Sequence, residues 1–277
     1  MIILAGTPIG NDGDASVRLK TALAEADLIA AEDTRRLLNL VGRLGIEIHA
    51  PVIAYHDHIE AEKAPELIAA AQAGKNVVMV SDAGMPAISD PGFKLAAQAA
   101  VAGVALTVLP GPSAPITALA ISGLPSNRFT FEGFLPRKDG ERAQTLADLR
   151  SEKRTMIFFE SPRRLLQTLQ DLCDTFGATR AAAVCRELTK THEEVRRGTL
   201  GELRSWAESV EVLGEIVVVI SGASAPDSRD ESLLQKLVPE VRELADLGLR
   251  LKDAAAYIAR KNGVRKNALY QAVLAAD

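Results

Sequence analysis

The sequence predicts an α/β protein of two domains followed by a small all-helical extension, and three observations lead there. Short β-branched runs alternate with Ala- and Leu-rich segments of helical period, the pattern of a protein built around mostly parallel strands. At 277 residues, 47% hydrophobic and 25% charged, the chain can bury one large core or two smaller ones. After residue 232 the strand-like runs stop and only helical spacing continues.

The first sheet is expected to use Ile2 to Ala5, Leu28 to Ala31, Val77 to Val80 and Leu106 to Leu109. Helices fall near Ser16 to Ala26, Lys63 to Ala73 and Pro91 to Val101. The third is the best marked: Asp90 can cap the free N–H groups, Pro91 suits the first helical position and Gly103 suits a left-handed stop. A second series follows Gly123-Leu124-Pro125-Ser126-Asn127, with strands at Arg128 to Phe131, Thr155 to Phe159, Ala181 to Cys185 and Ile216 to Ile220, and helices between them. Glu132 to Gly140 reads as an irregular basic loop because Gly and Pro punctuate it. Ala223 to Ser228 has linker composition, and Leu244, Leu247, Leu249, Leu251, Ala255 and Ile258 recur at roughly helical spacing beyond it. The expected organisation is therefore an α/β domain over 1–125, a second over 126–222, a linker over 223–232 and a helical extension over 233–277.

Composition narrows the function classes. The apolar start Met1-Ile2-Ile3-Leu4-Ala5-Gly6 lacks a basic lead-in and a small-residue cleavage site, so it reads as a core strand rather than a signal. No run approaches the roughly 20 uninterrupted apolar residues of a membrane span, and a cytoplasmic protein without a membrane partner is expected. Cys173 and Cys185 sit in apolar segments without Cys or His at metal-ligand spacing, which points to small core residues rather than a disulfide framework or a zinc site. A net charge of −4 weighs against a protein that coats nucleic acid by charge alone. Leu233 to Asp277 nevertheless holds eight Lys or Arg against five Asp or Glu, an excess that a solvated helix face and a nucleic-acid footprint explain equally well.

Three Gly- and Pro-rich loops follow strands of the first domain: Gly6-Thr7-Pro8-Ile9-Gly10-Asn11, Ser81 to Gly92, and Pro110-Gly111-Pro112-Ser113-Ala114-Pro115. In an open parallel sheet such loops converge on one crevice, where ligands bind. Glycines let backbone approach a ligand and prolines hold the loops in shape beforehand. None carries the Lys-Ser/Thr ending of a P-loop or a Gly-x-Gly-x-x-Gly run, so neither a triphosphate nor a dinucleotide is indicated. Asp82, directly after a strand, is placed either to accept hydrogen bonds from a ligand or to cap its own turn.

Taken in order, these motifs resemble one family. Gly6 to Asn11, Ala31-Glu32-Asp33-Thr34-Arg35, Ser81-Asp82-Ala83-Gly84, Ile88-Ser89-Asp90-Pro91-Gly92, Pro110 to Ala114, Gly133-Phe134-Leu135-Pro136-Arg137-Lys138 and Glu160-Ser161-Pro162 are similar to the family of ribosomal RNA small subunit methyltransferase I, the 16S rRNA cytidine 2′-O-methyltransferases of the tetrapyrrole-methylase superfamily. The similarity continues through Arg186 to Lys190, Arg197-Gly198-Thr199-Leu200 and Gly214-Glu215 into the tail at Leu251 to Ala255 and Lys266 to Tyr270. Met85, Arg163, Asp57 and Ile59 depart from the pattern, where Thr, His, Glu and Asn are usual.

The resemblance implies a tetrapyrrole-methylase fold with S-adenosylmethionine in the cleft between two α/β domains, a small-subunit rRNA or assembled small subunit as partner, and a homodimer. By position it assigns cofactor contacts to Pro8, Asp82, Gly84, Ala87, Ile88, Ser113 and Ala114 on one side and Phe159, Leu188 and Ile216 on the other. Methyl transfer from a sulfonium requires placement and no metal. A ribose hydroxyl is a weak acid that a general base would help, and His56 and Glu160 are the catalytic candidates, with His58 and Asp33 beside them on chemical grounds. RNA contact would be electrostatic, through Arg35, Arg36, Arg137, Lys138, Arg163 and Arg164 and a basic C-terminal patch. The alternatives are a methyltransferase acting on a tetrapyrrole or another small molecule, and a ribosome-assembly factor without catalysis.

Overall fold

The computed structural model describes residues 1–223 and 231–276. Two compact units emerge, one formed by 1–150 with 154–221 and the other by 151–153 with 222–277. Of the expected linker, residues 224–230 lie outside the described residues, while Glu231 and Ser232 open a helix.

The larger unit contains two five-stranded sheets. In the first, β1 (Ile2–Ala5), β2 (Leu28–Ala31), β3 (Val52–Ala54), β4 (Val77–Val80) and β5 (Leu106–Leu109) are all parallel, in the order β3-β2-β4-β1-β5. Alternation along β1 and β4 feeds two cores. Ile2, Leu4, Val77 and Met79 pack with Leu67 and Leu95, from α3 (Glu60–Gln72) and α4 (Phe93–Val101). Ile3, Ala5, Val78 and Val80 pack with Leu19 and Leu37, from α1 (Val17–Ala24) and α2 (Thr34–Leu44). A strand buried on both faces must be apolar at every position, which is why these runs are legible as strands.

Two features of this sheet depart from the sequence reading. β3 and α2 were not anticipated, although α2 carries its own signals: Asp33 accepts from the N–H groups of Arg35 and Arg36, and Gly45 closes the helix at φ +64°. At α4 the cap is not Asp90. The helix begins after Gly92, and Glu60 Oε1, at the start of α3, accepts from Gly92 N at 2.8 Å and Lys94 N at 3.0 Å. A buried carboxylate reaching across from the neighbouring helix does the work that local sequence assigned to Asp90. Gly103 does adopt the left-handed conformation expected of a stop, at φ +64°.

α5 (Ala114–Ser122) follows β5 but packs against the second sheet, where Ala118 and Leu119 share a core with Ile157, Val217 and Val219. That sheet comprises β6 (Phe129–Phe134), β7 (Thr155–Glu160), β8 (Ala181–Arg186), β9 (Glu194–Thr199) and β10 (Ile216–Ile220), in the order β6-β7-β10-β8-β9. Only β6 and β7 run parallel; the other pairs are antiparallel, which corrects the expectation of mostly parallel strands for this half. β9 escaped detection because it is an edge strand of charged residues, Glu-Val-Arg-Arg-Gly-Thr, with no hydrophobic run to announce it. The supposed loop from Glu132 is partly strand too: β6 continues to Phe134 across a bulge between Phe131 and Gly133. α6 (Asp139–Asp148), α7 (Leu165–Phe176) and α8 (Leu200–Ser209) contribute to the core on the other face, where Phe158, Leu169 and Leu203 meet. Both cysteines are buried, as small core residues should be.

The smaller unit is helical in its described elements: α9 (Glu231–Asp246), α10 (Leu251–Asn262) and α11 (Lys266–Ala275). Val241, Ala255, Ile258 and Leu269 form its own core, and Gly263 turns the chain between the last two helices at φ +68°. Among the described residues no helix is long and apolar enough to cross a membrane.

Candidate functional site

Backbone contacts tie the three Gly-rich loops together at the carboxyl ends of β1, β4 and β5. Gly6 N donates to Leu109 O at 3.0 Å, and Thr7 and Gly84 exchange two backbone hydrogen bonds of 2.9 and 3.1 Å. Gly6 and Gly111 approach so closely that a Cβ on Gly6 would stand 2.8 Å from Gly111 Cα. A side chain at either glycine would push the loops apart. Met85, one of the departures from the family pattern, fills space here: Gly111 N donates to its Sδ at 3.3 Å.

Beside these loops lies a cavity of about 390 Å³. Its second wall comes from the other sheet, through Phe134 at the end of β6, Phe159 and Glu160 at the end of β7, Leu188 after β8, and Gly214 to Val217 at the start of β10. The antiparallel register pairs Ile216 with Glu160 and Val217 with Phe159, so one strand's end and the next strand's beginning form a continuous face.

Seven of the residues assigned to cofactor contact line this cavity: Gly84, Ile88, Ser113, Ala114, Phe159, Leu188 and Ile216. Pro8, Ala87 and Asp82 are not in its wall. Ala87 acts from behind, since its φ of +69° sets the direction of Ile88. Asp82 turns to the loop after β2, where its Oδ1 accepts from Asp33 N at 3.0 Å and its Oδ2 pairs with Arg36 at 3.3 Å. Glu32 in turn accepts from Asp82 N at 3.1 Å.

The catalytic candidates occupy different surroundings. Glu160 is in the wall but only 3% exposed, and its carboxylate accepts from Ser161 N at 2.7 Å and Thr168 Oγ1 at 2.5 Å, with Arg164 Nε 3.6 Å away. His56 and His58 follow β3, their rings 6.1 Å apart, and neither lines the cavity. Asp33 is paired with Arg35 at 3.0 Å, and that partner holds its carboxyl down at about 2.

Asp90, which sequence reasoning spent on a helix cap, is a wall residue. Burial first, and then the nearby carboxylates of Glu32, Asp82 and Asp57, push its carboxyl up to about 7. Burial likewise raises Glu32. Phe134, Ser161, Pro162, Gly214 and Glu215 also entered the wall without having been assigned to it. The signal for them was the Gly133-Phe134, Glu160-Ser161-Pro162 and Gly214-Glu215 motifs themselves.

Of the cations expected to face RNA, Arg137, Lys138 and Arg163 are exposed. Lys138 pairs with Glu141 at 2.9 Å in a surface i,i+3 contact. Arg35 is exposed and held by Asp33. Arg164 is committed internally, donating to the carbonyls of Leu135 at 3.0 Å and Pro136 at 3.2 Å, so its first task is to fasten the loop after β6.

A parallel sheet with a crevice at its switch point, facing a second mixed sheet, defines a class. The chain belongs to the tetrapyrrole (corrin/porphyrin) methylases, whose sequence profile matches residues 1–204. Solved structures agree on the fold: the methyltransferase CobJ superposes with a TM-score of 0.61 at 21% identity, covering 80% of this chain and 94% of its own. A uroporphyrin-III C-methyltransferase from Thermus thermophilus, complexed with S-adenyl homocysteine, gives 0.55 at 19% identity over 79% of this chain and 96% of its own. Within the class, the chain belongs to the family of ribosomal RNA small subunit methyltransferase I. The protein of that name from Mycobacterium tuberculosis (strain CDC 1551 / Oshkosh) is 51% identical over 99% of this chain and 94% of its own length. The one from Pseudomonas aeruginosa is 44% identical over 99% and 96%.

Proposed function

We propose that this chain transfers a methyl group from S-adenosylmethionine to the ribose 2′-oxygen of a cytidine in 16S ribosomal RNA. One observation supports the reading: the motifs on which the resemblance to the rRNA methyltransferase family rests, among them Ser81 to Gly92, Pro110 to Ala114 and Glu160-Ser161-Pro162, supply much of the cavity wall. The volume, about 390 Å³, lies within the range of about 300–1,000 Å³ typical of small-ligand sites.

The wall suits that cofactor chemically. Ile88, Phe159, Leu188 and Ile216 offer apolar surface, and Gly84, at φ +82°, exposes backbone. We assign the holding contacts to Gly84, Ile88, Ser113, Ala114, Phe159, Leu188 and Ile216, with Pro8, Ala87 and Asp82 supporting them from behind. When bound, S-adenosylmethionine supplies a methyl group activated on a positively charged sulfur. The chain's own part is to fix the acceptor oxygen in line and to keep water out.

Arg137, Lys138 and Arg163 flank the wall residues Phe134 and Pro162 in sequence and supply phosphate contacts at the cavity mouth. The basic excess of the helical unit adds a second RNA-docking surface. Aromatic residues make up 4% of the chain, which favours a folded RNA or an assembled small subunit over a long single strand. Such a substrate places the protein in the cytoplasm. Leu106 and Val108, apolar and exposed on the edge strand β5, fit a homodimer contact.

The test is incorporation of labelled methyl into small subunits lacking the modification, run beside a porphyrinogen acceptor. Label in the rRNA supports the reading, label in the porphyrinogen supports a small-molecule methylase, and label in neither supports a non-catalytic assembly factor.

A further inference from the structure

Asp90 stands in the cavity wall without the task its position in the chain suggests. Glu60 caps α4, so the Asp90 carboxylate is released from the helix start. The loop keeps it in place: Ala87 N donates to Pro91 O at 3.0 Å, and the left-handed Ala87 and Ser89 shape the turn that carries Ile88, Ser89 and Asp90 into the wall. Gly92, at φ +129°, completes the turn, and a Cβ there would come within 3.2 Å of Ala87 N.

Three loops bring negative charge toward this carboxylate. Glu32 follows β2, Asp57 follows β3 and Asp82 follows β4; Arg36 on α2 acts on Glu32 and is bonded to Asp82. Among the described residues no Lys or Arg forms an ion pair with Asp90 itself. Of the other wall carboxylates, Glu160 is already held by Ser161, Thr168 and Arg164, and Glu215 by Lys190 at 2.9 Å. Among these wall carboxylates Asp90 combines freedom from any ion pair with an affinity for protons matched to neutral solution, and its neutral neighbour, the Ser81 hydroxyl, favours the charged form.

Resting on the methyl-transfer reading above, we propose that Asp90 is the general base that accepts the proton of the acceptor hydroxyl. As the hydroxyl oxygen bonds to the methyl carbon, its O–H bond breaks and the proton passes to a carboxylate oxygen of Asp90. The carbon–sulfur bond pair remains on sulfur, which becomes a neutral thioether. Asp90 then returns the proton to water.

Two measurements test this. The first needs no turnover: carbon NMR of the free protein with labelled aspartate carboxyls, the Asp90 signal being identified by its loss in Asp90→Asn. Titration near pH 7 is expected, and titration near the ordinary carboxylate value of about 4 overturns the proposal. The second is single-turnover transfer to small subunits from about pH 5.5 to about 9, paired with calorimetric S-adenosylmethionine affinity. The wild-type rate should rise with pH to a plateau above about 7. Asp90→Asn should lose about a hundredfold or more and lack that limb, with cofactor affinity within about threefold, while Asp90→Glu restores the limb in part. An Asn variant that keeps the limb, or loses affinity in step with rate, contradicts the role. If the wild type transfers nothing to subunits, the functional reading fails, and the carboxyl titration still decides whether Asp90 has the basicity claimed for it.

Discussion

Ile88 and Leu188 face the same cavity from opposite sheets, and each is held between two residues of positive φ. Ala87 (+69°) and Ser89 (+63°) flank the first; Glu187 (+50°) and Thr189 (+64°) flank the second. These are the four non-Gly residues with positive φ among the described residues. Such conformations cost on the order of 1–3 kcal/mol each and persist only where surroundings over-determine them. The surroundings do so here: Glu187 Oε1 takes Lys190 Nζ at 3.0 Å and Glu215 N at 2.8 Å, and Thr189 N donates to Glu193 Oε2 at 2.6 Å.

Ile88 is 48% exposed, so shortening it leaves the core intact. Ile88→Ala is expected to weaken S-adenosylmethionine binding by about threefold to tenfold, roughly 0.7–1.4 kcal/mol, with little change in Tm. Calorimetry on the folded variant checks it, and unchanged affinity would remove Ile88 from the contact set.

The contact between Gly6 and Gly111 makes a stability prediction. Gly111→Ala places a Cβ 2.9 Å from Gly6 backbone and should cost roughly 1–3 kcal/mol, a drop of several degrees in Tm. Gly42→Ala, inside α2 with nothing near its Cβ, should instead stabilise by about 0.5–1 kcal/mol. Thermal melts of the two variants side by side decide the matter.

Glu60 should carry the capping effect that local sequence assigns to Asp90. Glu60→Ala uncaps α4 and is expected to destabilise by roughly 1–3 kcal/mol. Asp90→Asn should raise Tm in a pH-dependent way. Folded Asp90 titrates at about 7 against 3.8 for a free aspartate, so between those values the folded state holds a proton that the unfolded state has released. Wild-type stability therefore erodes from about pH 4 to about 7, and the advantage of the Asn variant should grow over that window and level off above it. A Tm difference independent of pH would contradict the shifted carboxyl.

Charge reversal at Arg137 and Lys138 should weaken small-subunit binding and flatten its salt dependence, with the fold unaffected, because both side chains are exposed. Arg164→Ala should instead lower Tm, since that side chain fastens the Leu135 and Pro136 carbonyls. Binding titrations at two or more salt concentrations separate the two classes.

What the sequence revealed followed burial. β1, β4 and β10 are buried along their whole length and were readable to the residue, whereas β9, charged and on an edge, left no periodic trace. The cavity was readable as motifs, through Gly84, Ser113 and Leu188, because loops with fixed shape need particular residues. Asp90 was misassigned because local sequence offers an Asp-Pro helix start, while the competing cap, Glu60, lies thirty residues away and only folding brings it there. For Asp82 the position after β4 is legible, whereas its bonds to Asp33 and Arg36 are tertiary and leave no local trace.

The cavity is expected to deliver a methyl group to one ribose oxygen of small-subunit RNA. The direct test is to incubate the full chain with methyl-labelled S-adenosylmethionine and small subunits that lack the modification, digest the 16S RNA to nucleosides and identify the labelled one by mass spectrometry. A single labelled nucleoside, 2′-O-methylcytidine, approaching one per subunit, is expected. Label on a base carbon or nitrogen, on a different nucleoside, or on no nucleoside would contradict it.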